Sequence, residues 1–353
     1  MPYGFRVPVR GSCAAACAAV YLGLGGTGIA QPSPLTPVAV GIAHTATDVG
    51  FFIADKRGYF RDAGIAVTMT PFASAARMIA PLGTGQLDVG AGTVAAGLYN
   101  AVARRIRMRI VADKGSVADG YEYSTLLVRK DLVDSGRYRT LADLRGMTIA
   151  TGAQGSGSES SLNEALKKGG LKFADVNVVY MGFPEQFAAY RNKGIDAGIA
   201  NEPTVTRIIR EGYAVRASPQ AIYPGQQTAV VLFSEGFASR RPLAQKFMNA
   251  YIRAVRDYNG ALKDGRLAGP GAGDIIAILT EYTDIKNAET FAAMTAFAVN
   301  PDGRVNTASL DNDLDFFKER RLVAGKASVG QVIDNSFVDE AVRALGPYKD
   351  KPR

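Results

Sequence analysis

The chain is poor in the residues that most often carry covalent or metal chemistry. Only two of its 353 residues are cysteine, Cys13 and Cys17, and both lie in a short apolar run near the N-terminus. No cysteine follows that run, which excludes a disulfide, a thiolate metal site and a cysteine nucleophile from the rest of the chain. His44 is the single histidine, and with no second imidazole or thiolate it cannot build a metal centre alone. No Gly-Lys-Ser/Thr motif occurs, so a nucleotide P-loop is excluded. No other apolar stretch approaches the roughly 20 residues that a membrane helix needs. The one local basic run, Arg104, Arg105, Arg107 and Arg109, has no interleaved aromatics of the kind single-stranded nucleic acid requires. Nucleic acid is therefore not an expected partner, and no cofactor, metal or catalytic group is implied.

What is present describes an ordinary globular chain with ample core: 47% hydrophobic and 21% charged residues. The N-terminus has a pattern of its own. Arg6 and Arg10 precede the apolar run Cys13 to Leu24, then come Gly28-Ile29-Ala30 and the proline-rich Gln31-Pro32-Ser33-Pro34. A basic start, a short apolar stretch and a small-x-small site predict a secretory signal peptide over residues 1–30. The competing reading is a plain N-terminal arm. Ala14-Ala15-Ala16-Cys17 lacks the leucine of a good lipoprotein box, so a free periplasmic protein is expected over a lipidated one. Removing Arg6 and Arg10 takes the net charge from +8 to about +6, a mild field that favours small anions.

One phrase is written twice. Gly85-Gln86-Leu87-Asp88-Val89-Gly90-Ala91 returns as Gly194-Ile195-Asp196-Ala197-Gly198-Ile199-Ala200. Each copy follows an amphipathic stretch, 74–82 or 184–192, and precedes a helix start. Glycine ends the helix in the left-handed region, aspartate opens a strand, and small residues let the next helix begin close by. An interval near 109 residues is too long for a solenoid. It predicts two similar α/β lobes, each offering a helix N-terminus at a strand end, where open α/β sheets bind ligands.

The rest of the pattern agrees. From Pro37 strands and helices alternate, which implies parallel sheets with helices on both faces. The apolar strand 124–128 and its counterpart 226–233 are expected to carry the chain between lobes. Lobe one then comprises 37–127 and 227–353, and lobe two 128–226. Helices are expected at 93–103, 158–168, 203–210 and, in a tail packed on lobe one, at 240–262, 272–281, 287–297, 307–320 and 336–344.

Several phrases occur in a telling order: Asp55-Lys56-Arg57-Gly58-Tyr59-Phe60, Gly85-Gln86-Leu87-Asp88-Val89-Gly90, Leu141-Ala142-Asp143-Leu144-Arg145-Gly146, Gly155-Ser156-Gly157-Ser158, and Asn201-Glu202-Pro203. Over residues 38–260 this order resembles the periplasmic substrate-binding proteins of ABC importers of the nitrate, sulfonate and taurine type, a group that includes thiamine-pyrimidine-precursor binders. The resemblance implies a type II periplasmic-binding-protein fold, a ligand held between two closing lobes, an inner-membrane ABC permease as partner, and a monomer. The thiamine-pyrimidine synthases on that fold carry a cysteine-rich iron motif, which is missing here. Dehydratases of menaquinone-precursor synthesis share the fold but are cytoplasmic, against the leader.

The candidate cleft residues follow. His44 and Thr45 sit in the loop after the first strand; His44 reads either as a ligand donor or as an ordinary loop residue. Asp48 reads first as a helix N-cap. Gly92 and Thr93 are expected to open a helix whose free amides suit an anion. Gly155, Ser156, Gly157 and Ser158 make the equivalent feature in lobe two, with glycines that allow close approach and further hydroxyls at Ser160 and Ser161. Ser124 lies at a crossing strand. Ser74 and Arg77 start another helix; an inward Arg77 would pair an acid bidentately, an outward one would be a solvated charge. Glu202 either complements its helix dipole or binds an amine. A sulfonate, carboxylate, zwitterion or aminopyrimidine all remain open.

Overall fold

The computed structural model describes Met1, residues 34–72, 75–324 and 326–349. The expected leader, with Cys13 and Cys17, and the candidate Ser74 lie outside the described residues. Leu35–Arg353 forms one compact unit.

Among the described residues ten strands build two five-stranded sheets, beside a small hairpin of Leu262–Lys263 with Arg266–Leu267. In chain order they are β1 (Thr36–Ile42), β2 (Ile65–Pro71), β3 (Val89–Thr93), β4 (Met108–Ser116), β5 (Ser124–Arg129), β6 (Thr148–Thr151), β7 (Asn177–Tyr180), β8 (Ala197–Asn201), β9 (Ala214–Arg216) and β10 (Gln227–Ser234). The first sheet runs β2-β1-β3-β10-β4 and the second β7-β6-β8-β5-β9. Neither is purely parallel as the alternation suggested. β10 lies antiparallel between β3 and β4, and β5 antiparallel between β8 and β9. Each late- or early-arriving strand serves as a full sheet member, and the crossings themselves are the segments just before them. There Val117 N–H donates to Gln226 O at 3.0 Å and Gly225 N–H to Val117 O at 2.7 Å, tying the two crossings together.

The repeated phrase performs one task twice. Asp88 accepts the Ala39 amide of β1 at 3.0 Å and returns its own amide to Ala39 O. Asp196 does the same with Thr148 of β6, also at 3.0 Å. Each carboxylate thus pins the parallel neighbour of the strand it leads into, β1 beside β3 and β6 beside β8, and each has an arginine beside it, Arg240 for Asp88 and Arg129 for Asp196. The helix ends differ. Gly85 takes the expected left-handed conformation (φ 76°), but before the second copy it is Lys193 that does so (φ 56°).

The tail is helical and does more than cover the first sheet. Arg241–Gly260 buries Phe247, Tyr251 and Tyr258 against the first core, with Phe247 and Tyr251 beside Phe51 of Val49–Lys56. The helix Thr307–Glu319 touches both halves. On one side Tyr99 donates to Leu310 O. On the other, Ser160 donates to the buried Asp313 and Asn312 to Glu164. The expected helix 287–297 stops at Ala293. Residues 294–298 are drawn out instead because Ala296 N–H donates to Gly265 O and Ala298 pairs with Ser116.

Candidate functional site

A cavity of about 590 Å³ opens between the two sheets, at the strand ends where the crossings occur. From the first half its walls include Thr45, Thr47, Thr93, Val94 and Lys114. From the second they include Gly152, Ser156, Ser158, Phe183 and Asn201. Tyr123, Gln226 and Thr228 contribute from or beside the crossings, and Met294, Thr295 and Phe297 from the drawn-out tail segment. The two walls meet at one edge, where Ala96 N–H donates to Gly155 O at 2.8 Å and Ala95 bridges to Ser156.

That contact explains why Thr93 does not open a helix. Val94 N–H still donates to Thr228 O, so the strand geometry persists past Thr93. The helix begins at Ala96. Thr93 therefore reaches the cavity as an exposed strand end. Gly92 lies behind it and is no wall residue: a Cβ there would stand 2.8 Å from Leu232 Cδ1, so the glycine serves sheet packing. Gly155, in the left-handed region with φ 69°, likewise sits outside the cavity and lets the halves approach; a Cβ there would meet the Ala96 methyl at 2.9 Å.

Ser156, Gly157 and Ser158 line the cavity as expected, at the start of the helix Gly157–Lys168. Ser156 Oγ donates to Ala153 O at 2.6 Å, the Ser158 hydroxyl donates in turn to Ser156 Oγ at 2.8 Å, and Ser158 Oγ accepts the Gly152 amide. Ser160 and Ser161 are committed elsewhere, to Asp313 and to Gln226. Ser124 and Thr45 also line the cavity.

His44 points the other way. Its backbone is left-handed (φ 55°), and its ring borders a separate hollow with Asp55, Glu281 and Tyr282, 4.0 Å from Asp284. Arg77 is exposed on the 3-10 turn Ala75–Met78 and is not a wall residue. No bidentate clamp on an acid forms there. Glu202 lines the cavity, and its carboxylate caps the next helix: it accepts Thr206 N–H and Oγ at 2.9 Å each, and Thr295 N–H at 3.1 Å. Its dipole-complementing role holds. Asp48 stands at the N-cap of Val49–Lys56 without a side-chain bond to it, and instead closes a capping box with Thr45 on the 3-10 turn Ala46–Asp48 that leads in. It is buried, accepting the Ala43 and Thr45 amides through Oδ2 and the Lys114 ammonium through Oδ1 at 2.7 Å.

Lys114, missed from the sequence, is thus a buried cation beside the cavity, committed to Asp48 and to Thr47 Oγ1 at 2.8 Å. Its signal was legible: Asp113-Lys114 interrupts the apolar strand Ile110–Ala112. Asp113 turns inward as well. Burial raises its carboxyl to about 6, against the lowering effect of donors from Asn300, Gln227, Gly115 and Ser116. Asp313 is pushed up further, to about 7, again by burial. The apolar wall residues Phe183, Met294 and Phe297 carried no sequence signal that separates them from core. Among the described residues no group of three or more His, Cys, Asp or Glu side chains is placed to hold a metal, and no helix is long and apolar enough to cross a membrane.

The profile of one family matches residues 31–264. The chain belongs to the NMT1-like family. This NMT1-like chain is 27% identical over 200 residues, 54% of its length and 56% of the relative's, to a protein of Brachyspira hyodysenteriae named for periplasmic binding in an ABC transporter. It is 24% identical over 210 residues, 57% of its length and 61% of the relative's, to an Escherichia coli protein named for binding aliphatic sulfonates. Both matches span less than two thirds of the relative. Its fold is that of the periplasmic aliphatic sulphonate binding protein of Escherichia coli, with a TM-score of 0.68 and 21% identity over 84% of this chain and 92% of that one. The expected type II periplasmic-binding-protein fold is therefore correct.

Proposed function

We propose that the chain is the extracytoplasmic solute-binding component of an ABC importer and captures a small organic anion, a sulfonate or carboxylate, by cleft closure. The observation that carries this is the cavity itself: two walls from two sheets, joined by two crossings, with uncharged hydroxyls at Thr93, Ser156 and Ser158 and the start of the helix Gly157–Lys168 among them. Relatives named for sulfonate and ABC-transporter binding support it. In this reading 37–127 with 227–353 and 128–226 are the moving lobes, residues 1–30 are removed on export, and the mature monomer meets a permease at the inner membrane. The function is binding, not catalysis. A solute that touches both walls binds the closed form better, and that difference drives the motion.

The test is a thermal-shift screen of the mature chain against sulfonates and carboxylates, followed by calorimetry on Thr93→Ala and Ser158→Ala. A solute at a hundred times its dissociation constant stabilises by about 2.7 kcal/mol. Each hydroxyl lost should weaken binding by about 0.5–1.5 kcal/mol. The reading is refuted if no acid shifts the melting temperature, or if both variants bind an active acid unchanged. A second reading, an amine-bearing or aminopyrimidine solute, rests on Glu202: among the described residues no Lys or Arg nitrogen stands within ion-pair reach of this wall carboxylate. Aminopyrimidines and taurine in the same screen decide it.

A further inference from the structure

The cavity is poorly matched to a small, strongly hydrated anion. Its cation, Lys114, is already bonded to Asp48 and Thr47. Much of the remaining wall is apolar. A half-buried Phe183 comes from the second half, and Tyr123, Met294 and Phe297 back the other side from the core, 9%, 3% and 2% exposed, with alanines between. A volume of about 590 Å³ is that of a pocket for a ligand of many atoms, not of a two-carbon acid. A taurine-sized solute would leave most of this apolar wall in contact with trapped water. The wall also places ring and hydroxyl side by side. A Cβ built on Gly152 would stand 3.3 Å from the Phe183 ring and 3.4 Å from Ser158 Oγ. The absent side chain leaves the aromatic face and the hydroxyl next to each other, so an apolar body can begin within a bond or two of the acid it carries.

Building on the solute-binding reading, we propose that the solute is an organic acid with a bulky apolar body, a fused ring or a chain of about eight carbons or more. The acid group rests at the start of the helix Gly157–Lys168, where the Ser156 and Ser158 hydroxyls turn to it from Ala153 O and from each other, and the body fills the space between Phe183 and the Tyr123–Met294–Phe297 wall. Size and shape, not charge pairing, set the specificity: apolar area removed from water supplies the affinity, and a few placed donors fix the orientation. Drawing residues 294–298 out of the expected helix is what brings Met294 and Phe297 to the wall.

Calorimetry on the full mature chain tests this with methanesulfonate, taurine, octanesulfonate, naphthalene-2-sulfonate, 2-naphthoate and uncharged 2-naphthol. Octanesulfonate and the naphthyl acids should bind at least ten-fold tighter than methanesulfonate and taurine, and tighter than 2-naphthol. Phe183→Ala, at a half-buried position where folding should survive, should shrink the ratio between large and small acids by about ten-fold, and Phe183→Leu should restore most of it; melting curves check that both variants are folded. If methanesulfonate or taurine binds as tightly as the large acids, the size proposal falls and the solute-binding reading stands. If 2-naphthol binds as well as the naphthyl acids, the acid requirement falls. If no acid of either size binds, the organic-anion reading falls with it.

Discussion

Replacing Lys114 by methionine should be among the most damaging single changes in the chain. Lys114 and Asp48 are 2% and 0% exposed, and their ammonium and carboxylate are 2.7 Å apart. Methionine fills much the same volume, so the loss is electrostatic. Removing one partner of a buried pair strands the other charge and costs about 3–5 kcal/mol. Here the lower end is expected, about 3 kcal/mol, because Asp48 Oδ2 keeps the Ala43 and Thr45 amides while Oδ1 loses its ammonium. Asp48→Asn removes the stranded charge and keeps an acceptor for those amides. The double variant Lys114→Met/Asp48→Asn should therefore be no less stable than Lys114→Met alone, and the cycle should return a coupling of about 2 kcal/mol. Urea denaturation of the four proteins measures it. A Lys114→Met loss below about 1 kcal/mol, or a double variant that is simply the sum of the singles, would show that water reaches the pair and that the cavity wall is wetter than drawn.

Two further outcomes are expected. Asp313 is held up near 7 by burial, so the folded state binds its proton more tightly than the unfolded chain; the stability this lends is complete below the ordinary carboxylate value and is lost as pH rises toward 7. Asp313→Asn should flatten that part of the stability profile, and an unchanged slope between pH 4 and 7 would refute the assignment. Gly265 has φ 76°, and a Cβ there would lie 2.1 Å from Gly120 O; Gly265→Ala should cost about 2 kcal/mol or more in urea denaturation, and a neutral result would place this backbone elsewhere.

The sheets were legible because their signals are local. Strand and helix alternate from Pro37 onward, and the repeated phrase around Asp88 and Asp196 marks equivalent corners of two sheets. The antiparallel insertion of β5 and β10 was not legible, since a short apolar strand carries no mark of its direction. Among the site residues, Thr45, Ser124, Ser156, Gly157, Ser158 and Glu202 reach the cavity, as does Thr93, although from a strand and not a helix. Gly92 and Gly155 lie one layer back, where close packing needs them. His44 and Arg77 face away, because a left-handed residue in one case and a 3-10 turn in the other redirect the side chain. The groups missed are mostly those whose place depends on distant partners. Lys114 needs Asp48, 66 positions away. Met294 and Phe297 need Gly265 and Ser116 to pull their segment out of helix.

The insertion of β10 between β3 and β4 also has a consequence in time. The second sheet is built from one continuous stretch, Ser124 to Arg216, whereas Val231 must find Ala91 and Ala112 across the whole of that stretch. Closing so long a loop is slow, and local contacts form first. The second sheet should thus assemble on its own, while the first waits with a gap between β3 and β4. A chain threaded through a pore from its N-terminus would present β1 to β4 early yet be unable to complete their sheet, which stays open until Gln227–Ser234 has emerged. Pulsed hydrogen exchange during refolding should protect β6 and β8 amides before those of β3 and β10; the reverse order would contradict this sequence of events.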